Sequence, residues 1–190
     1  MAGSGSRRWP IVATVAVIGA LAIGAAGVAL IGSAQRRDDR AAYLRYERAV
    51  LPSLRESGRR VQQEMKPALR ELAEGRITTA TALQRAAAFR AVFARIGAGL
   101  AAIDPPSFLG DISRRWTAAV SEYGAIADLF GQAARESGGG RARLLTQAQA
   151  AGERADTLFD RAAAVMQYHR RRLGLGRTTS LPDPATTASD

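Results

Sequence analysis

At 190 residues the chain has room for one soluble domain and a short appended segment. Its 27 basic residues are all arginine except Lys66, and with 17 acidic residues the formal net charge is +10. No cysteine is present, which excludes a disulfide framework, a thiolate nucleophile and a cysteine-based metal centre.

In chain order, residues 1–10 read as a short basic N-tail ahead of an apolar run. Residues 11–31 contain one polar side chain, Thr14, and no charge falls between Arg8 and Arg36. Twenty-one residues at helical rise span roughly 30 Å, the hydrocarbon thickness of a bilayer. A cleavable signal usually has a shorter apolar region of ~7–15 residues, so the length predicts a retained signal-anchor helix over 11–33. Gly32-Ser33-Ala34 is the one triplet that suits a signal peptidase, and cleavage near Ala34 would release a secreted domain. Ser6-Arg7-Arg8 resembles a twin-arginine signal only faintly, because Pro10 stands where that signal wants an apolar residue. Trp9 suits an interfacial position.

The flanking charges conflict with the usual habit of such layouts. Arg7 and Arg8 precede the apolar run, whereas Arg36, Arg37, Arg40, Arg45 and Arg48 follow it, which by the positive-inside count would hold the large domain in the cytoplasm. Long domains translocate largely regardless of charge, so the expectation is a single-pass protein of the cell membrane with its bulk outside the cytoplasm.

Beyond residue 36, apolar residues recur in steps of three and four, the period of an amphipathic helix. The expected fold class is all-α, an antiparallel four-helix bundle of coiled-coil-like packing over 36–173, with helices about 41–74, 79–103, 106–136 and 140–173. The first helix offers Leu44, Leu51, Leu54, Val61, Met65, Ala68 and Leu72, with Glu47 and Gly58 irregular. Glu47 at an apolar position is either paired by a nearby arginine or marks fraying of that end near the membrane, and fraying is the expectation. Pro52 and Pro67 each forfeit a helical hydrogen bond, and a kink or restart is expected near residue 52. The second helix offers Ala82, Ala86, Phe89, Phe93, Ile96, Leu100 and Ile103. Asp104-Pro105-Pro106 breaks the pattern, and Pro106 is placed to open the third helix. That helix offers Leu109, Ile112, Trp116, Ala119, Tyr123, Ile126, Phe130 and Ala133. After a glycine-rich turn, the fourth offers Leu144, Ala148, Ala151, Ala155, Leu158, Ala162, Val165 and His169, beside a line through Phe159 and Met166. Residues 174–190 form a polar tail expected to be disordered.

Candidate chemistry is sparse. Trp116, Tyr123 and Phe130 stand seven apart and make an aromatic ladder that either lines a pocket for an apolar or cationic ligand or packs the core. His169 is the only histidine and has no partner for metal or catalytic work, so it reads with Arg170, Arg171 and Arg172 as positive charge at a helix C-terminus. Glu153, Asp156 and Asp160 share a helix face and read as solvated carboxylates beside Arg154 and Arg161; Glu71 with Glu74 and Asp38 with Asp39 read likewise. No phosphate loop, serine elbow or pair of buried acids is present, so the expectation is no enzyme, no catalytic or metal residue and no cofactor.

The whole layout, a basic start, one apolar helix, an arginine- and alanine-rich helical domain and a Pro/Thr-rich tail, resembles the single-pass envelope proteins of actinobacteria. That resemblance rests on composition and brings no activity or site. A bundle on a membrane helix also resembles the sensor domains of chemoreceptors and sensor kinases, but nothing after Leu173 provides the second span and output module those have. The expected function is therefore a membrane-anchored, non-catalytic binding module whose partner is another envelope protein, a second copy, or an anionic polymer. A ligand-binding bundle, or a cytoplasm-facing basic domain for anionic lipid or nucleic acid, are the alternatives, nucleic acid being the less favoured partner.

Overall fold

The computed structural model describes the backbone of residues 9–176 and the side chains of residues 35–176. The predicted membrane segment 11–33 is described in backbone alone, and residues 1–8 and the tail from residue 177 lie outside the described residues. Among the residues whose side chains are described no helix is long and apolar enough to cross a membrane. The chain divides into two compact units, Met1–Ala41 and Ala42–Asp190.

Every described element is helical. The elements are α1 (Trp9–Arg60), a π-helical segment (Val61–Met65), α2 (Lys66–Ala73), α3 (Thr79–Ala101), a 3-10 turn (Ser107–Leu109), α4 (Gly110–Ala133) and α5 (Gly138–Arg172). In the second unit, α1 from Ala42 continues through the π segment into α2 as the first of four antiparallel rods. Pairings such as Arg95 with Glu56, Phe93 with Tyr123 and Arg154 with Glu122 fix the up-down-up-down order.

Pro52 breaks nothing, contrary to expectation: α1 runs through it with the ring exposed. The irregularity sits instead just before Pro67, where the Lys66 N–H donates to the Val61 carbonyl five residues back. Pro67 cannot donate, and its ring would collide with the carbonyl four residues earlier, so a widened turn relieves the crowding.

Gly75, at φ 68°, ends α2: the Arg76 N–H donates to the Glu71 carbonyl at 2.8 Å, and a left-handed residue is required there. Thr78 then caps α3, its Oγ1 accepting from the Thr81 N–H at 3.2 Å. Pro106 does not open α4; it leads the 3-10 turn, and α4 starts at Gly110. Arg141 Nε donates to the carbonyls of Ala133 and Glu136 at and past the end of α4, the first of which also accepts from the Glu136 N–H at 3.3 Å. A second left-handed glycine, Gly174, closes α5. It returns Leu175 to the core, two residues past the predicted helix end at 173.

Residue size decides the spacing of the rods. Buried Ala148, Ala151, Ala155 and Ala162 of α5 meet a face of α4 that includes Ala119 and Ala127, and these backbones run closest. Between α3 and α4, a Cβ added to Gly131 would come within 3.2 Å of Ala86 Cβ. The first rod contributes larger buried side chains, Tyr43, Tyr46, Leu54, Val61 and Met65. The α5 face follows Phe159 and Met166, and Val165, expected in the core, is 38 % exposed.

Candidate functional site

The end of the bundle at which residue 42 enters concentrates buried polar and aromatic groups. It joins the part of α1 just after Ala42, the turn between α3 and α4, the start of α4 and the close of α5. Glu47 belongs to the buried stripe of α1, which runs Tyr43, Glu47, Val50, Leu54, Ser57 and Val61 in steps of four and three. It is only 6 % exposed, yet the helix does not fray. Arg170 Nη1 of α5 donates to its Oε2 at 2.5 Å, and Arg170 Nε donates to the Gly176 carbonyl at 2.5 Å. The Tyr43 hydroxyl donates to the Met166 carbonyl at 3.1 Å, with Glu47 Oε1 at 3.4 Å. Burial, and then the Glu47 charge, push the Tyr43 hydroxyl well above the ordinary tyrosine range, so it stays a donor.

One turn on, Tyr46 stacks on Trp116 with ring centroids 6.3 Å apart and planes 15° from parallel. The Tyr46 hydroxyl and Trp116 Nε1 are buried without a hydrogen-bond partner among the described residues. Outside them lies an open cleft of about 350 Å³, lined by Ala42, Arg45, Tyr46 and Ala49 of α1 and by residues 103–106.

His169 stands in the last turn of α5 with Arg170, Arg171 and Arg172. Its ring packs on Phe108 at 5.5 Å and edge-on to Tyr168 at 5.4 Å. Burial, with Arg172 adding repulsion, lowers its pKa from the ordinary 6.5. Because the fold favours neutral imidazole, the unfolded chain takes up the proton first. This contribution to stability is full above 6.5 and is lost as the pH falls below it. Urea midpoints between about pH 7.5 and 5.5 should fall for the parent and fall less for His169→Gln. Equal losses would show that the ring is freely solvated.

The ladder residues are core residues by position. Trp116 is 0 % exposed against Tyr46, Tyr123 packs on Phe93 at 5.6 Å, and Phe130 packs on Phe89 at 6.2 Å. The Tyr123 hydroxyl donates to Asp156 Oδ1 at 2.7 Å, and burial followed by that carboxylate raises its pKa. Asp156, its side chain 47 % exposed, has Lys66 Nζ at 3.9 Å besides the Tyr123 hydroxyl. Arg154 reaches Glu122 of α4 at 2.8 Å, and Glu153 accepts from Gln149 at 3.3 Å. Burial, then Asp156, raise the Asp160 carboxyl. Glu71 pairs with Arg85 at 2.5 Å, and Glu74 pairs with Arg76. Among the described residues no three potential metal ligands gather.

No protein-family model, curated protein or solved structure matches the chain.

Proposed function

We propose that the chain is a membrane-anchored, non-catalytic helical bundle that works as a binding module at the cell envelope, with its bulk outside the cytoplasm. The carrying observation is the uncharged apolar run of residues 11–31, long enough for a bilayer, followed directly by an arginine-rich helical domain. The inward packing of Trp116, Tyr123 and Phe130 favours partners met on the surface over a ligand held along the ladder. The partner classes are another envelope protein, a second copy, or an anionic polymer, the last drawn by the net charge of +10.

Two reporters fused after residue 173, one active only outside the membrane and one only inside, test the reading together with the size of the membrane-bound product. An active outside reporter on a full-length, membrane-bound chain is expected. A shortened, released product would replace the anchor with a secreted bundle. An active inside reporter would make the arginines after residue 35 decisive and turn the domain toward the cytoplasm.

A further inference from the structure

Arginines at both ends of the bundle outnumber the carboxylates that pair with them. At the far end, Arg85 and Arg76 pair with Glu71 and Glu74, Arg135 and Arg141 donate to the carbonyls of Gly131 and Ala133, and Arg70 and Arg143 are exposed without ion pairs among the described residues. At the entry end, two of the carboxylates are already engaged: Glu47 by Arg170 and Asp111 by Arg114. Asp104 is the remaining carboxylate there in the second unit. Arg45 lines the same cleft as Asp104, and at this end Arg45 and Arg48 of α1 and Arg171 and Arg172 of α5 are exposed and without ion pairs among the described residues. Tyr168, one turn before Arg171 and Arg172, is 52 % exposed, and an amphipathic ring of this kind favours the boundary between apolar and wet surroundings.

We propose that this arginine-rich end, Arg45, Arg48, Arg171 and Arg172 with Tyr168, docks on anionic phospholipid head groups of the bilayer that holds residues 11–31. The inference rests on the anchor reading and names what the exposed arginines bind. Guanidinium forks match phosphate oxygens in pairs of hydrogen bonds, and clustered basic side chains beside a membrane gain from its negative surface potential. Chain length enforces proximity: ten residues lie between Ile31 and Ala42, a reach of at most about 40 Å even if fully extended. The far end has no such tether.

The chain lacks cysteine, so single labels are unambiguous. Full-length Ala49→Cys, labelled with a fluorescent donor, is reconstituted into vesicles carrying acceptor-labelled lipid, of phosphatidylcholine alone or rich in phosphatidylglycerol. Transfer should be stronger in the anionic vesicles, and the difference should vanish near 1 M NaCl, where the screening length is about 3 Å. Each Arg→Gln change at 45, 48, 171 or 172 should lower the docked-to-undocked ratio roughly fivefold, with helix content unchanged. A donor at Ser137→Cys on the far end should ignore lipid charge. Equal transfer from residue 49 in both vesicles, or an equal response at residue 137, overturns the docking while leaving the anchor intact. A chain that does not stay with the vesicles defeats the anchor reading and the docking with it. A label that ignores lipid but responds to duplex DNA at low salt would assign the arginines to nucleic acid and overturn the lipid assignment.

Discussion

Arg170→Leu is expected to cost the bundle about 3 kcal/mol, because it leaves the Glu47 carboxylate buried without its cationic partner. The penalty comes from the stranded charge, and the attraction that is lost contributes less. Desolvating two ions consumes much of what their pairing returns, so replacing both together should be far milder. The double variant Glu47→Leu with Arg170→Leu should recover most of the loss, with Tyr43 keeping its bond to the Met166 carbonyl. Urea unfolding of the single and double variants, followed by far-UV circular dichroism, measures the coupling. If Arg170→Leu shifts stability by less than about 0.5 kcal/mol, the pair is a solvated surface contact and the polar end has no buried ion pair.

Trp116→Ala should cost more, about 3–5 kcal/mol, a large share of the ~5–15 kcal/mol typical of a domain. The ring is 0 % exposed, stacked on Tyr46, and belongs to α4, the helix packed on both α3 and α5. Truncation would remove its transfer energy and leave a cavity that rigid helices close only partly. Trp116→Phe separates packing from polarity. Nε1 is buried without a partner, so phenylalanine sheds a donor that costs about 1–3 kcal/mol to bury, against a modest loss of area. That variant should therefore stay within about 1.5 kcal/mol of the parent. A parent-like Trp116→Ala would mean that the ring lines open space, and would return the ladder to candidacy as a ligand wall.

The fold was legible because hydrophobic spacing survives without tertiary information. Every third-helix position expected to be apolar, from Leu109 to Ala133, is buried, as are those of α3 from Ala82 to Leu100. Misreadings cluster where one stripe had to be chosen from two. In α1 the reading began at Leu44, which is half-buried, and passed over Tyr43, Tyr46 and Val50, because tyrosine's hydroxyl makes it look like a surface residue until its partner is known. In α5 an abundance of alanine left the phase of the face undetermined, and Phe159 with Met166 outweighed Val165. The polar end was harder still. Glu47 and Arg170 are 123 residues apart, and nothing local in either names the other. The available signal was the unbroken series of four- and three-residue steps through position 47, which asks what neutralises a carboxylate there. Pro52 and Pro67 look alike in sequence, yet only the second is accompanied by a widened turn.

The clasp between α1 and α5 also has a mechanical side. A tension applied to the chain at Ala42 enters the bundle through α1. The first links to feel that pull are Tyr43 on the Met166 carbonyl and Glu47 on Arg170. Both join α1 to the last turns of α5, so the first and last rods would share the load before it reached the contacts further along the bundle.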